Sequence, residues 1–578
     1  MIAVEDFQNA LDACSVNATA VVKPATSAQL PSTHHVSDDA TTAERCLKSL
    51  KSSRADDYQQ WIEVGMAMKA AGCDVSVWDM WSRQSSKYQE GVCQSKWNSF
   101  NSDGKLTIAS LIHWAKLDNP NYSPPAATKL SMFPFTDSGS AERFVAMFGN
   151  EFRYNHTRGR WYCWDGRRWD ESRGEPGARN YFVKMCRELR REALLPENQD
   201  RREAIERFAR QSENTNKITN ALHEAQHIEP ISCYAEDFNR DPWAFNVQNG
   251  TIDLTTGKLR PHNPADMLSQ IANVVHNPNA KCPIFDKSLF RITGDNAAMV
   301  DYILRVFGYS LTGSIAEQVF WAFWGHGKNG KTTVLTDNIR LMMGDYACEC
   351  AGDLLIVNFG NAHPTELADL LGKRLVIASE TEKDKTLKVQ LVKKLTGDSS
   401  IKARYMRQDF FEFQRQFKII LVTNNKPKIP ENTIAIWRRV KLVPFNVVIS
   451  DAECDLHLSD KLRLEWPGIL NRLIEGCLGW QQTGLKEPED VSTATTEYRT
   501  EQDPLKDFFD ECCTIDGFSI TPVSILKERY ERWCKDAGTE SHLSAQDFNT
   551  CLRQKGCRND QQWYDGKTQR VWIGLNLT

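Results

Sequence analysis

"WAFWGHGKNGKTTVLTDNIRLMMG" occupies positions 321–344, and the reading of the whole chain starts there. Inside it, Gly325-x-x-x-x-Gly330-Lys331-Thr332 has the spacing of a phosphate-binding loop. The run from Gln318 to Trp324 is apolar and aromatic, which suits a buried strand. The stretch from Thr332 to about Met343 is amphipathic and stops at Gly344, as a helix does. Strand, glycine loop, helix is the context this motif requires. Glycines let backbone N–H groups close on phosphates, and the helix N-terminus adds a partial positive charge. The expected nucleotide cradle is Gly325, His326, Gly327, Lys328, Asn329, Gly330, Lys331, Thr332 and Thr333. Lys331 would reach the β- and γ-phosphates and Thr332 would ligate Mg²⁺, so ATP and Mg²⁺ are the expected cofactors. The bland alternative is a tight glycine turn with a surface lysine.

A nucleotide-hydrolysing site also needs an acid near the metal and the attacking water. The next strongly apolar strand, "KRLVIASE" at 373–380, carries Glu380 to its C-terminal edge, where parallel sheets bind ligands, and Glu382 follows. One of the two would hold the metal's water shell, with Glu380 favoured, and the other could polarise the water. The residues leave their roles open, and both could simply begin an exposed acidic turn. "FKIILVTNN" (417–425) ends in Asn424, an amide placed to sense a γ-phosphate or to make a plain Asn-Asn turn. "AIWRRVKLVPF" (435–445) sets Arg438 and Arg439 at a strand entrance. A ring NTPase supplies such an arginine to its neighbour's γ-phosphate, although an Arg pair is more often a surface pair. Between the acid and the amide, "IKARYMRQDFFEFQ" (401–414) reads as two strands about a tip near 406–409. Lys402, Arg404, Tyr405 and Arg407, with Phe410, suit single-stranded DNA, bases stacking on aromatics while cations meet phosphates. A core-packing hairpin is the competing reading.

The 578 residues allow about three to four domains. The composition, 41% hydrophobic and 25% charged, is that of a soluble globular protein. No apolar run reaches the ~18 residues of a membrane span, and the N-terminus lacks the basic start of a signal peptide. Seventeen cysteines without a CxxC pair argue against a zinc ribbon and for reduced, cytoplasmic thiols. Net charge is −4, yet residues 401–445 hold ten bases against three acids, a footprint for nucleic acid or else a solvated face.

The expected fold class is multidomain α/β. Residues 1–45 read as a flexible segment, 46–117 as a small helical domain and 118–130 as a Pro-rich linker. An α+β region follows over 131–296, with a hairpin at Asp165-Gly166 and turns at Asn249-Gly250 and Thr256-Gly257. The ATPase core spans 297–483 and opens with a helix ending near Gly308. Residues 484–504 read as a polar linker, and 505–578 as helices followed by a hairpin at Asp565-Gly566, a winged-helix-like pattern.

The order GxGxNGKT, an apolar strand ending in Ser379-Glu380, a K-K-L-T-G-D segment, a basic hairpin, TNNKP and IWRRV resembles a known family. It is similar to the superfamily 3 helicase core of phage and plasmid primase–helicases, a group that includes the poxvirus replication NTPase. Thr332 stands where Ser is common, the second glycine of the GGD segment is absent, and Ser379-Glu380 replaces two adjacent acids. "NVQNGTIDLTTGKLRPHNPADMLSQ" resembles that family's region before the helicase, and 46–117 its helical domain after the primase. No primase metal cluster is seen upstream. The resemblance implies an AAA+-like P-loop core and a homo-hexameric ring acting on single-stranded and forked DNA. It further implies a separate primase or polymerase partner, no membrane, and phage, prophage or plasmid replication in a bacterial cytoplasm. Two other functions fit the residues. One is a ring NTPase that remodels or loads replication proteins; the other is an origin-binding protein that uses ATP for assembly.

Overall fold

The protein is described from a computed structural model covering residues 38–100, 106–119, 129–351, 354–357, 364–379, 385–406, 409–430, 433–503, 505–538 and 543–578. It divides into two compact units. The first runs through Pro134 and takes in Glu188–Arg207; the second comprises Phe135–Arg187 and Phe208–Thr578.

The first unit is helical: α1 (Asp38–Ser49), α2 (Tyr58–Ala70), α3 (Val75–Ser82), α4 (Val92–Ser99) and α5 (Ile108–Asp118). Helix α1 corrects the end of the expected flexible segment from residue 38 onward, and residues 1–37 lie outside the described residues. Ala40 and Ala43 are buried with Cys46 and Leu47, and small residues at helical spacing give a weak amphipathic signal that a polar sequence hides. The core of this unit is built on indoles. Trp61 stacks on Trp78 at 4.6 Å and donates Nε1–H to Ser82 Oγ at 2.7 Å. Trp78 lies so close to α2 that a Cβ on Gly65 would sit 2.5 Å from its ring.

The second unit begins with α6 (Asp137–Phe148) and a sheet of β1 (Phe152–Asn155), β2 (Arg160–Trp164), β3 (Trp169–Asp170) and β4 (Ser232–Cys233), in the order β3-β2-β1-β4. The predicted hairpin is present, with Trp164 opposite Trp169. Strands β5 (Ala244–Val247), β6 (Gly250–Asp253) and β7 (Lys258–Arg260) form a meander turning where Asn249-Gly250 and Thr256-Gly257 predict.

Five parallel strands make the central sheet: β8 (Phe320–Trp324), β9 (Ala347–Ala351), β10 (Leu375–Ser379), β13 (Lys418–Thr423) and β14 (Val440–Pro444), with β11 (Ser400–Ala403) and β12 (Phe411–Gln414) as a separate antiparallel hairpin. The order is β14-β8-β13-β10-β9. Trp321, Phe323, Ile377 and Ile420 enter one core, while Ala322, Val376, Ile419 and Leu421 enter the other. A sheet covered on both faces needs such continuous apolar runs, which is why these strands are legible without alternation.

Helix α7 (Ala297–Leu311) runs straight through Gly308, which the sequence predicts as its end. Gly308 lies instead against α8 (Trp466–Thr483). A Cβ there would meet Cys477 N at 2.3 Å, and one on Gly476 would meet Leu304 O at 2.2 Å. The two glycines let the helix backbones touch, a tertiary role that outweighs glycine's poor helix propensity. The expected linker over 484–504 is also corrected. Glu489–Glu501 is a helix, α9, whose Val491, Ala494 and Tyr498 pack on the core while the other ten of its thirteen residues are Glu, Asp, Ser, Thr or Arg. The Thr495 hydroxyl accepts the Leu442 N–H of edge strand β14 at 3.0 Å.

The C-terminal part contains α10 (Lys506–Cys512), β15 (Ile520–Pro522), α11 (Val523–Asp536), α12 (Ala545–Gln554), β16 (Arg558–Tyr564) and β17 (Lys567–Ile573), with strand order β15-β17-β16. Asp565 and Gly566 both have positive φ, 48° and 77°, as a two-residue hairpin turn requires. Among the described residues all sixteen cysteines are free thiols, and no helix is long and apolar enough to cross a membrane.

Candidate nucleotide site and hairpin

The glycine loop leaves β8 at the C-terminal edge of the central sheet, between β14 and β13. Gly327 and Gly330 take φ of 82° and 76°, so the loop coils back on itself. Lys328 also has positive φ, 45°, and its exposed ammonium meets Asp451 at 2.9 Å. Asn329 is buried and ties the loop to the residue just beyond β14 by donating Nδ2–H to Phe445 O at 3.3 Å. Gly325 cannot carry a side chain, because a Cβ would stand 2.4 Å from that same carbonyl. His326 is exposed, its ring edge-on to Trp324 at 5.0 Å. Thr332 is exposed and Thr333 half-buried. The expected helix begins as a π turn over Thr332–Thr336 and becomes α-helical at Asp337–Met343.

Lys331 decides the geometry. It is 4% exposed, and its Nζ donates to Asn424 Oδ1 at 2.8 Å and to Gly325 O at 3.3 Å. Burial lowers its pKa. Asn424 stands just beyond β13, so the structure brings together a loop lysine and a strand-tip amide that are 93 residues apart. Ser379, at the end of β10, is in register with Val422, and Thr423 with Trp324, so three strand tips share one edge. The next residues after β10, including Glu380 and Glu382, lie outside the described residues.

The arginine pair separates. Arg439 is buried and donates Nη1–H to Ala435 O at 2.5 Å, a bond to its own helical turn. Arg438 is exposed, and among the described residues its guanidinium makes no hydrogen bond or ion pair. The hairpin also divides. Lys402 and Arg404 lie 5.3 and 4.9 Å from the ring of Phe410, which is 52% exposed. Tyr405 turns the other way. It stacks on Phe411 at 5.2 Å, and Arg158 covers it at 5.4 Å in a cleft of about 1170 Å³. Arg407 lies outside the described residues.

The positive excess over 401–445 is not one patch. Arg415, Lys418 and Arg439 are buried, and Lys426 and Lys441 pair with Glu501 and Glu487. Sequence reasoning gave no role to Lys426, because its partners are on a helix 75 residues away. Lysine after an Asn-Asn turn carried no signal that could have found it.

Four family models match the chain in succession. They are "Primase C terminal 2" at residues 43–115, "D5 N terminal like" at 141–294, a family of unknown function at 323–439, and "Poxvirus D5 protein-like" at 500–569. Relatives that are helicases by name only include L207/L206 of Acanthamoeba polyphaga mimivirus, 23% identical over 89% of this chain and 58% of the relative. Another is 184R of Invertebrate iridescent virus 6, 23% identical over 72% of this chain and 51% of the relative. The chain thus spans a little over half the length of these viral proteins. The apo C-terminal region of NrS-1 aligns with 55% of this chain and 88% of its own, at 13% identity and a TM-score of 0.36. In the succession of these matches and in its viral relatives the chain is similar to D5-like primase–helicases.

Proposed function

We propose that this protein is an ATP hydrolase driving a replicative DNA helicase, built on an AAA+-like superfamily 3 core with a winged-helix-like C-terminal domain. The observation that carries the reading is the bond from Lys331 to Asn424 across the C-terminal edge of a parallel sheet. In that position Lys331 binds the β- and γ-phosphates, Asn424 reports the γ-phosphate, and the exposed Thr332 hydroxyl ligates Mg²⁺. Glu380 or Glu382 supplies the acid. Arg438 serves as the arginine offered to a neighbouring copy in a ring, because Arg439 is already spent on its own backbone. Lys402, Arg404 and Phe410 form the strand-gripping tip, two cations around one exposed aromatic ring. The likeness to viral proteins named as helicases supports DNA replication as the setting.

The test is steady-state ATP hydrolysis with and without single-stranded DNA. Wild type should be stimulated by DNA. Lys331→Ala should lower hydrolysis by about 10²-fold or more, and the combined Lys402→Ala, Arg404→Ala, Phe410→Ala variant should keep basal hydrolysis without stimulation. Equal rates with and without DNA in wild type would defeat the helicase reading in favour of a remodelling NTPase.

A further inference from the structure

The residue two places beyond Asn424 is held in an unusual setting. Lys426 places its ammonium 2.9 Å from both carboxylate oxygens of Glu501, the last residue of α9. The same ammonium sits 4.6 Å from the ring centroid of Trp324, the last residue before the phosphate loop, and 5.6 Å from that of Tyr498. One cation therefore touches the strand that enters the loop, the turn that carries Asn424, and the helix that leaves the central sheet.

The neighbouring contacts bind the same two bodies. The Tyr498 hydroxyl donates to Pro427 O, and the Ile429 N–H donates to Gln502 Oε1 at 2.9 Å. Beyond α9, Asp503 pairs with Lys555 at 2.6 Å, and Lys555 directly follows α12 of the C-terminal part. Three polar contacts, Lys331 to Asn424, Lys426 to Glu501 and Asp503 to Lys555, are thus joined by two short stretches of backbone, 424–426 and 501–503, and lead from the phosphate loop to the end of α12. Lys426 is half-buried between the Trp324 and Tyr498 rings while Glu501 is exposed, and with the Tyr498–Pro427 and Ile429–Gln502 bonds beside the pair, a shift at the Asn424 turn must either carry the end of α9 along or break these contacts.

We propose that Lys426 is a positioning residue that transmits the state of the nucleotide site to the C-terminal domain. When the γ-phosphate takes the Lys331 ammonium, Asn424 loses its donor and the 424–427 turn resettles. Lys426 then pulls on Glu501, and α9 repositions α12 and the β16–β17 ribbon. The inference rests on the reading of Lys331 as a nucleotide ligand, and its test keeps the two apart.

The experiment uses the full chain and measures two things. Binding of a fluorescent, slowly hydrolysed ATP analogue with Mg²⁺ reports the site. Hydrogen–deuterium exchange over residues 495–503 and 551–557, with and without that analogue, reports the C-terminal response. In wild type the analogue should change exchange there by about fivefold or more, the usual size of coupling between sites. Lys426→Met should bind the analogue within about threefold of wild type and lose the exchange response. Glu501→Gln should behave alike, the double variant should be no worse than either single one, and Lys426→Arg should restore the response. The relay is overturned if Lys426→Met still transmits the response. It is overturned equally if that variant binds the analogue tenfold or more weakly, for the lysine would then be a ligand contact. Failure of wild type to bind, or equal binding by Lys331→Ala, would instead strike the nucleotide reading itself.

Discussion

Two lysines are buried at opposite ends of the central sheet's strands, Lys418 at the start of β13 and Lys331 in the loop beyond β8, and they behave differently. Lys331 and Lys418 are each 4% exposed. At the N-terminal edge, Lys418 donates to Thr312 O and to Gln416 O, the latter at 3.1 Å, and lies 4.6 Å from the Tyr309 ring. Beside it Arg374, fully buried, donates to the carbonyls of Leu311, Asp241 and Ala244. These cations pin the end of α7 and the start of the β5–β7 meander to the sheet, and their acceptors are backbone oxygens that cannot leave. Lys331 faces a side-chain amide on a strand tip beside an exposed threonine, so its partner can be exchanged for a phosphate. The lesson is that burial of a cation does not mark a site; replaceable partners do.

Breaking the comparison starts with its two lysines. Lys331→Ala should lower kcat for ATP hydrolysis by about 10²-fold or more, while Lys418→Met keeps the rate within about threefold. Steady-state kinetics on both variants decide this, and equal losses would end the distinction.

The arginines give the same contrast on a smaller structural scale. Arg438→Ala should lose about 10³-fold in hydrolysis under ring-forming conditions with thermal stability unchanged. Arg439→Ala should unfold at lower temperature, because it strips a buried donor from its carbonyl. Unchanged hydrolysis in Arg438→Ala would remove it from the site.

Gly476→Ala tests packing against propensity. In an isolated helix the change should stabilise by about 1 kcal/mol. Here it should destabilise by about 1–3 kcal/mol, because the new methyl meets Leu304 O at 2.2 Å. Thermal or denaturant unfolding reads the sign.

The smallest effect concerns pH. Burial, with Arg374 and Arg415 alongside, holds Lys418 well below its ordinary pKa of 10.5. The unfolded chain therefore binds a proton that the folded chain holds weakly, and the protein gains stability as pH rises toward 10.5. Lys418→Met should flatten that rise in denaturant titrations between neutral pH and pH 10, and an unchanged slope would assign it to other groups.

Much of the central sheet was legible, since strands covered on both faces must be apolar throughout and glycine loops must be glycine-rich. Helix α9 was not, because its three apolar anchors are scattered through a polar sequence and only the edge of β14 gives them a surface. Gly308 looked like a helix stop for the complementary reason: a residue without a side chain says nothing about which backbone will approach it.

By itself, then, the sequence determined the strand–loop–helix unit, the strand tips that end in polar residues, the hairpin turns and the order of family segments, all of which depend on neighbours close along the chain. Only the tertiary structure decided which cations are buried, which arginine stays available, and that Lys426 joins Trp324, Glu501 and Tyr498. Those outcomes depend on partners tens to hundreds of residues away, and a charged side chain reads the same in sequence whether its counterpart is water, a carbonyl or another helix.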